Sequence, residues 1–311
     1  MRRGIKAIGI LAGACIALVL AGGSTAIAAE KKHSASKDAK VRSEVKAALG
    51  PEIRSAAALV VDGKTGEVIF GRKPALVTPI ASVTKLMTAL VVLDALQPLD
   101  EVIEITRDDK WTGKGAFSRL PVGQKMSRAD LMRLALMASE NRASHTLARN
   151  YPGGSAAFIR RMNAKARALG MTQTKFEDPS GLSNNNVSSA RDLAKLVTAA
   201  SRQPVIREYS TLHSYDVTLG KRRFTYRNTN LLVGRPDWDI NVQKTGFTND
   251  AGECLVMQAT IEDRPVTMVF LDSFGKLTRT ADARRMRKWM AARQPSKLPE
   301  MGAGGAELAK K

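Results

Sequence analysis

Residues Leu86-Met87-Thr88-Ala89-Leu90-Val91-Val92-Leu93 do most to restrict how this chain can fold. Pro79 precedes the run and Pro98 follows it, which marks out one helix of roughly three to four turns between two residues that cannot continue it. A helix so apolar is a buried one, enclosed by other elements. Its first turn nonetheless carries Ser82 and Lys85. Residues three apart share a helix face, so the hydroxyl sits beside the amine, and the free N–H groups of a helix start favour developing negative charge.

Two more triplets follow in order, Ser139-Glu140-Asn141 and Lys244-Thr245-Gly246. Together the three supply a serine nucleophile, two proton handlers and a cationic shelf, an inventory for acyl transfer without histidine. Each pattern has duplicates that serve as controls. Serine three residues before lysine also occurs at Ser34/Lys37, Ser43/Lys46 and Ser273/Lys276, Ser-x-Asn at Ser183-Asn184-Asn185, and Lys-Thr-Gly at Lys64-Thr65-Gly66. None of the other serine–lysine pairs opens a buried helix. The first Lys-Thr-Gly belongs to Gly63-Lys64-Thr65-Gly66, a turn between the strand-like runs Ser55 to Asp62 and Glu67 to Gly71. A phosphate loop would need a further glycine at position 58, where alanine stands.

Residues 1–28 read as an export leader, with basic Arg2, Arg3 and Lys6, an apolar stretch from Ile8 to Leu20, and small residues at Ala26-Ile27-Ala28 for cleavage. Its apolar stretch is short for a membrane span. Cys15 lies within it, which leaves Cys254 as the single cysteine of the mature chain; one cysteine makes no internal disulfide, so the core must carry the fold. Leu255, Val256 and Met257 beside Cys254 predict a buried, inert thiol. With 49 basic and 29 acidic residues the formal charge is +20, and removing the three leader cations leaves +17. Such a field draws polyanions, but the charge is spread over helices and both ends with no nucleic-acid motif, so anionic envelope surfaces fit better than nucleic acid.

Residues 29–52 form a polar lead-in with a helical pattern around Val41 to Leu49, 53–293 one catalytic domain, and 294–311 a disordered tail. A helical block occupies about 100–205. Ser127-Arg128-Ala129-Asp130 resembles a capping box opening a helix through Met137, and Ala143 to Asn150, Ala156 to Leu169 and Ala190 to Ser201 continue the helical pattern. Between the last two lies the turn-rich loop Phe176 to Leu182, where Asp178 reads as loop-structuring. Short strands follow from Tyr215: Ile240 to Lys244, Cys254 to Ile261 and Pro265 to Leu271, before a closing helix at Thr280 to Ala292. His33, His145 and His213 have no metal-ligand spacing, and no cofactor is expected.

The order and spacing of the triplets, with Pro79-Ile80-Ala81-Ser82, the block Met171 to Leu193, Arg227-Asn228-Thr229-Asn230-Leu231 and Lys244 to Asn249, resemble the penicillin-recognising serine D,D-peptidases, the low-molecular-mass penicillin-binding proteins. The likeness spans roughly Ser55 to Met290 and is nearest the D-alanyl-D-alanine endopeptidase type. It implies an α+β fold, an antiparallel sheet flanked by helices with the mostly helical block inserted. It also implies that Ser82 attacks a D-alanyl carbonyl and Lys85 takes its proton, with Lys244 close by to depress the Lys85 pKa. Ser139 relays a proton to the leaving amine. Asn141 holds either the substrate amide or the Lys85 side chain. Lys244 and Thr245 bind the acyl donor along a strand edge, and Gly246 admits the peptide to the backbone. The N–H groups of Ser82 and Phe247 form an oxyanion hole, worth about 3 kcal/mol per donor.

The implied partners are peptidoglycan stem peptides and, as covalent inhibitors, β-lactams. Three activities share the chemistry. An endopeptidase cuts D-alanyl cross-links and a carboxypeptidase removes a terminal D-alanine. Carboxypeptidase relatives grip the terminal carboxylate with an arginine after the last strands, where this chain has Ser273-Phe274-Gly275-Lys276-Leu277. A β-lactamase of class A would need a loop Glu-x-x-Leu-Asn, but Glu177 is followed by Asp178-Pro179-Ser180. An inert wall-binding module would not keep Ser82 and Lys85. The expected location is the periplasm, with no more than loose electrostatic association with membranes.

Overall fold

Strands β1 (Ala57–Asp62), β10 (Gly252–Ile261) and β11 (Arg264–Ser273) are buried almost without interruption, with apolar runs at their centres, because both faces of their sheet are covered. The pleat sorts successive residues to opposite sides. Ala57, Leu59, Cys254, Val256, Val269 and Leu271 enter one core, while Ala58, Val60, Leu255, Met257, Met268 and Phe270 enter a second. A computed structural model describes residues 50–113 and 118–293; the leader, the helical pattern at Val41 to Leu49 and the tail at 294–311 lie outside the described residues.

With β2 (Val68–Arg72) and β9 (Asp239–Thr248), these strands form a five-stranded antiparallel sheet ordered β2-β1-β11-β10-β9. The chain leaves the sheet after β2 and returns at β9. The long intervening segment is the helical block, so the expected α+β architecture is the observed one. It holds α1 (Lys85–Asp94), α2 (Arg128–Met137), α3 (Asn141–Arg149), α4 (Gly154–Ala168), α5 (Ala190–Ser201) and α6 (Pro204–Thr211), and three short strand pairs. They are β3 (Val77–Pro79) with β6 (Val187–Ser189), β4 (Val102–Glu104) with β5 (Lys125–Ser127), and β7 (Ser214–Leu219) with β8 (Arg222–Arg227). Helix α7 (Thr278–Arg293) covers the far face through Ala283, Met286 and Met290.

The proline-bounded run is α1, buried from Lys85 to Val92 and packed against all five other helices of the block. Its entry differs from a plain helix start. Ala81 takes φ +46°, and a 3-10 turn over Ala81–Thr84 carries Ser82 before α geometry begins at Lys85. Half of the capping box at α2 forms. Ser127 Oγ accepts from Asp130 N at 3.0 Å, but the Asp130 carboxylate accepts from Tyr215 Oη and Arg133 Nη1, both at 2.6 Å, instead of returning to the cap. Helix α6 was not anticipated, although proline at its first position and buried Ile206 and Tyr209, three apart, are its signature. Lys244-Thr245-Gly246 does not end a strand. β9 runs on to Thr248 because β10 supplies partners throughout, with Lys244 opposite Val256 and Gly246 opposite Cys254.

Candidate active site

The three triplets meet where the edge strand β9, the turn before α1 and the α2–α3 connection converge. Ser82, Ser139, Asn141, Thr245, Gly246 and Phe247 all line one cleft of 770 Å³. Lys85 and Lys244 lie beneath its floor, both without exposed surface.

Lys85 Nζ lies 2.7 Å from Ser82 Oγ, 2.8 Å from Asn141 Oδ1 and 2.7 Å from the Ser180 carbonyl. Two of these partners can only accept, so a neutral amine donates its two N–H groups to them and turns its lone pair on the Ser82 hydroxyl. Burial pulls the Lys85 pKa down to about 7, against the opposing pull of Asp178 and Glu140. Lys244 is held well below the ordinary lysine value, by burial first and then by the charges of Lys85 and Arg279. Burial, more than the Lys244 charge, therefore lowers the Lys85 pKa. The two amines repel each other's protons, and the pKa of each is held down.

Ser139 takes φ +60°, an uncommon conformation for a side chain that points it out of the α2–α3 turn. Its Oγ accepts from Lys244 Nζ at 3.0 Å, and the same amine donates to the Thr245 carbonyl at 2.8 Å. Thr245 Oγ1 is 2.6 Å from Thr229 Oγ1, which ties the Arg227-to-Leu231 segment to the site. Of the two partners expected for Asn141, its Oδ1 meets Lys85.

Gly246 has a local reason to be glycine. A Cβ there would lie 2.8 Å from the Ile80 carbonyl and 3.2 Å from Ser82 N, so the missing side chain lets β9 close against the turn bearing Ser82. Gly181 is under a harder constraint, with φ +86° and a Cβ position 1.8 Å from the Ala81 carbonyl. Asp178 structures its loop as expected: Oδ1 accepts from Ser180 N at 2.6 Å and Gly181 N at 2.8 Å, and Oδ2 from Ser183 N at 2.7 Å.

Sequence reasoning missed the Ser180 carbonyl, since every residue has one and only the fold aims it. It also found no arginine near the last strands. Arg279 stands two residues past Ser273-Phe274-Gly275-Lys276-Leu277; it lines the cleft, donates to the Gly246 carbonyl at 2.6 Å and is paired with Glu253. Cys254 is fully buried and its thiol is pushed up to about 12, in keeping with an inert group. Glu177 is bound by exposed Lys175 and Asn185 and by partly buried Ser183, outside the cleft lining.

A sheet flanked by helices, with a serine on a buried lysine at its edge, defines the penicillin-recognising serine peptidases. The chain belongs to the family described as D-alanyl-D-alanine carboxypeptidase, whose model matches residues 44–275. It is 50% identical over 253 residues to the D-alanyl-D-alanine endopeptidase of Pseudomonas aeruginosa, covering 81% of this chain and 82% of that one. The Escherichia coli D-alanyl-D-alanine endopeptidase is 49% identical over 251 residues, 80% of this chain and 81% of that one. Among solved structures, penicillin-binding protein D2 of Listeria monocytogenes in its cefotaxime-bound form superposes with a TM-score of 0.67 at 30% identity, over 76% of this chain and 97% of that chain.

Proposed function

We propose that this enzyme is a peptidoglycan D,D-endopeptidase that opens D-alanyl cross-links through an acyl-enzyme on Ser82. One observation carries the chemistry: a buried Lys85 whose two other partners can only accept, leaving its lone pair to the Ser82 hydroxyl. Ser82 Oγ bonds to the D-alanyl carbonyl carbon as its proton passes to Lys85 Nζ, and the oxyanion is held by the N–H groups of Ser82 and Phe247. The C–N bond then breaks. The leaving amine takes the Ser139 hydroxyl proton, Lys244 Nζ replaces it across its contact with Ser139 Oγ, and the proton that Lys85 took from Ser82 restores the charge of the amine pair. Water hydrolyses the ester and restores the hydroxyl. Thr245, Lys244 and Gly246 seat the acyl donor along β9.

Cross-link cleavage is preferred over carboxypeptidase action on the likeness to the two endopeptidases. The family's description names the second activity, and Arg279 in the cleft removes the absence of an arginine as a reason against it. β-Lactams are read as covalent inhibitors released slowly, since Glu177 lies outside the cleft where a deacylating water would be activated. The leader pattern of residues 1–28 points to the periplasm as the place of action. Among the described residues no helix is long and apolar enough to cross a membrane.

Purified protein incubated with cross-linked dimeric and with monomeric pentapeptide muropeptides separates the activities. Monomers from the dimer at a higher kcat/KM than D-alanine from the pentapeptide, both lost in Ser82→Ala, is the expected result. Faster release of D-alanine would make the enzyme a carboxypeptidase.

A further inference from the structure

Lys85 has two obligate acceptors, and both trace back to α3. Asn141 opens the helix and meets the amine directly. His145, one turn later on the same side, reaches the second acceptor indirectly: its Nε2 is 3.2 Å from Oγ of Ser180, the residue whose carbonyl accepts from Lys85. The Ser180 hydroxyl proton is committed to Asp178 Oδ1 at 2.6 Å, and a carboxylate can only accept. Ser180 Oγ therefore receives the imidazole Nε2–H. Ser180 is fully buried, and His145 is half-buried with its ring 5.9 Å from that of Trp111.

We propose that His145 is a positioning residue for the reaction, holding the Ser180 carbonyl on Lys85 so that a single helix sets both acceptors of the general base. This rests on the acyl-transfer reading of Ser82 and Lys85. Neither the triplets nor any histidine spacing singled His145 out. Either the neutral Nε2–H tautomer or the imidazolium can donate this bond; burial first, and then the Lys85 charge, hold the His145 pKa below the usual histidine value against the pull of Asp178 and Asp109.

The charged groups facing His145 are Asp178 of the loop, Lys85 of α1 and Asp109 of the turn at Arg107–Asp109, the last paired with Arg149. Lys110 and Arg142 line the cavity beside it. Those facing Lys85 are Asp178, Glu140 and, from β9, Lys244. Loosening the Ser180 carbonyl withdraws an acceptor from the ammonium form. Lys85 then gives up its proton more readily and becomes a weaker base.

The test is the rate of acylation by a fluorescent penicillin, followed against pH in the full-length protein. His145→Leu is expected to lower the limiting rate about tenfold, the worth of one hydrogen bond near a charge, and to move the rising limb to lower pH. The noncovalent binding constant stays unchanged. His145→Gln, which retains an N–H donor, restores rate and midpoint. Ser180→Ala, which keeps the carbonyl but removes the hydroxyl, reproduces the leucine variant's defect, and the double variant adds nothing to it. Should His145→Leu not fold, the test rests on Ser180→Ala, which alone must shift the midpoint. A wild-type midpoint in Ser180→Ala, or a glutamine variant as slow as the leucine one, overturns the proposal. Wild-type protein that fails to acylate at all would instead overturn the reading beneath it.

Discussion

A lysine that acts as a base has to be able to lose its charge, and Lys85 can because it is sealed from water beside another amine. An arginine placed there would stay charged at any working pH. Lys85→Arg is therefore expected to fold, as measured by circular dichroism, yet to acylate with penicillin about a thousandfold more slowly. Glycine at 181 is a matter of space and backbone angle. Gly181→Ala combines φ +86° with a collision against the Ala81 carbonyl, so a loss of about 3 kcal/mol in urea unfolding is expected, with Ser82 labelling falling in step. Serine and lysine at 82 and 85 are legible in the sequence, because the chemistry demands those residue types at helical spacing. Ser180 and His145 were not, since a backbone carbonyl and a histidine without partners nearby in sequence leave no pattern.

At the scale of elements, the site is assembled from ends: the entry to α1, the α2–α3 turn, the start of α3 and the free edge of β9. Helices with a strong local signal were readable to within a residue or two, as Ala190 to Ser201 was at α5, because apolar spacing and a serine cap agree there. Local chemistry failed where tertiary partners intervened. Asp130 looked like the second half of a capping box, but Arg133 and Tyr215 claim its carboxylate. The paired extent of β9 depends on β10, which no window around Lys244 contains. The Ser127 hydroxyl remains a real cap, so Ser127→Ala should cost about 1 kcal/mol in thermal unfolding while leaving muropeptide cleavage unchanged. A fall in kcat/KM without loss of stability would mean that the α2 start communicates with Ser139.

For the whole molecule, 49 basic against 29 acidic residues give the chain a net positive charge, and its substrate polymer carries carboxylates. Binding to vesicles containing anionic phospholipid is expected at low ionic strength and lost by about 0.3 M salt, where the screening length is well under 10 Å. Retention that only detergent breaks would contradict a purely electrostatic contact. A mixed α+β composition was legible in the alternation of strand-like and helical runs, whereas the sheet with its inserted helical block came from the family resemblance; which edge strand would face the cleft was not legible, since strand order is a long-range property.

The most direct test is the pH dependence of acylation at Ser82, followed by stopped-flow mixing with a fluorescent penicillin and located by mass spectrometry. Burial lowers the Lys85 pKa, so the neutral, reactive amine is lost as pH falls and gained as it rises. The rate should climb through a midpoint near about 7, with the adduct on Ser82 and none in Ser82→Ala. A rate still governed by a group near the ordinary lysine pKa, or an adduct that persists in Ser82→Ala, would contradict a neutral Lys85 as the base that activates Ser82.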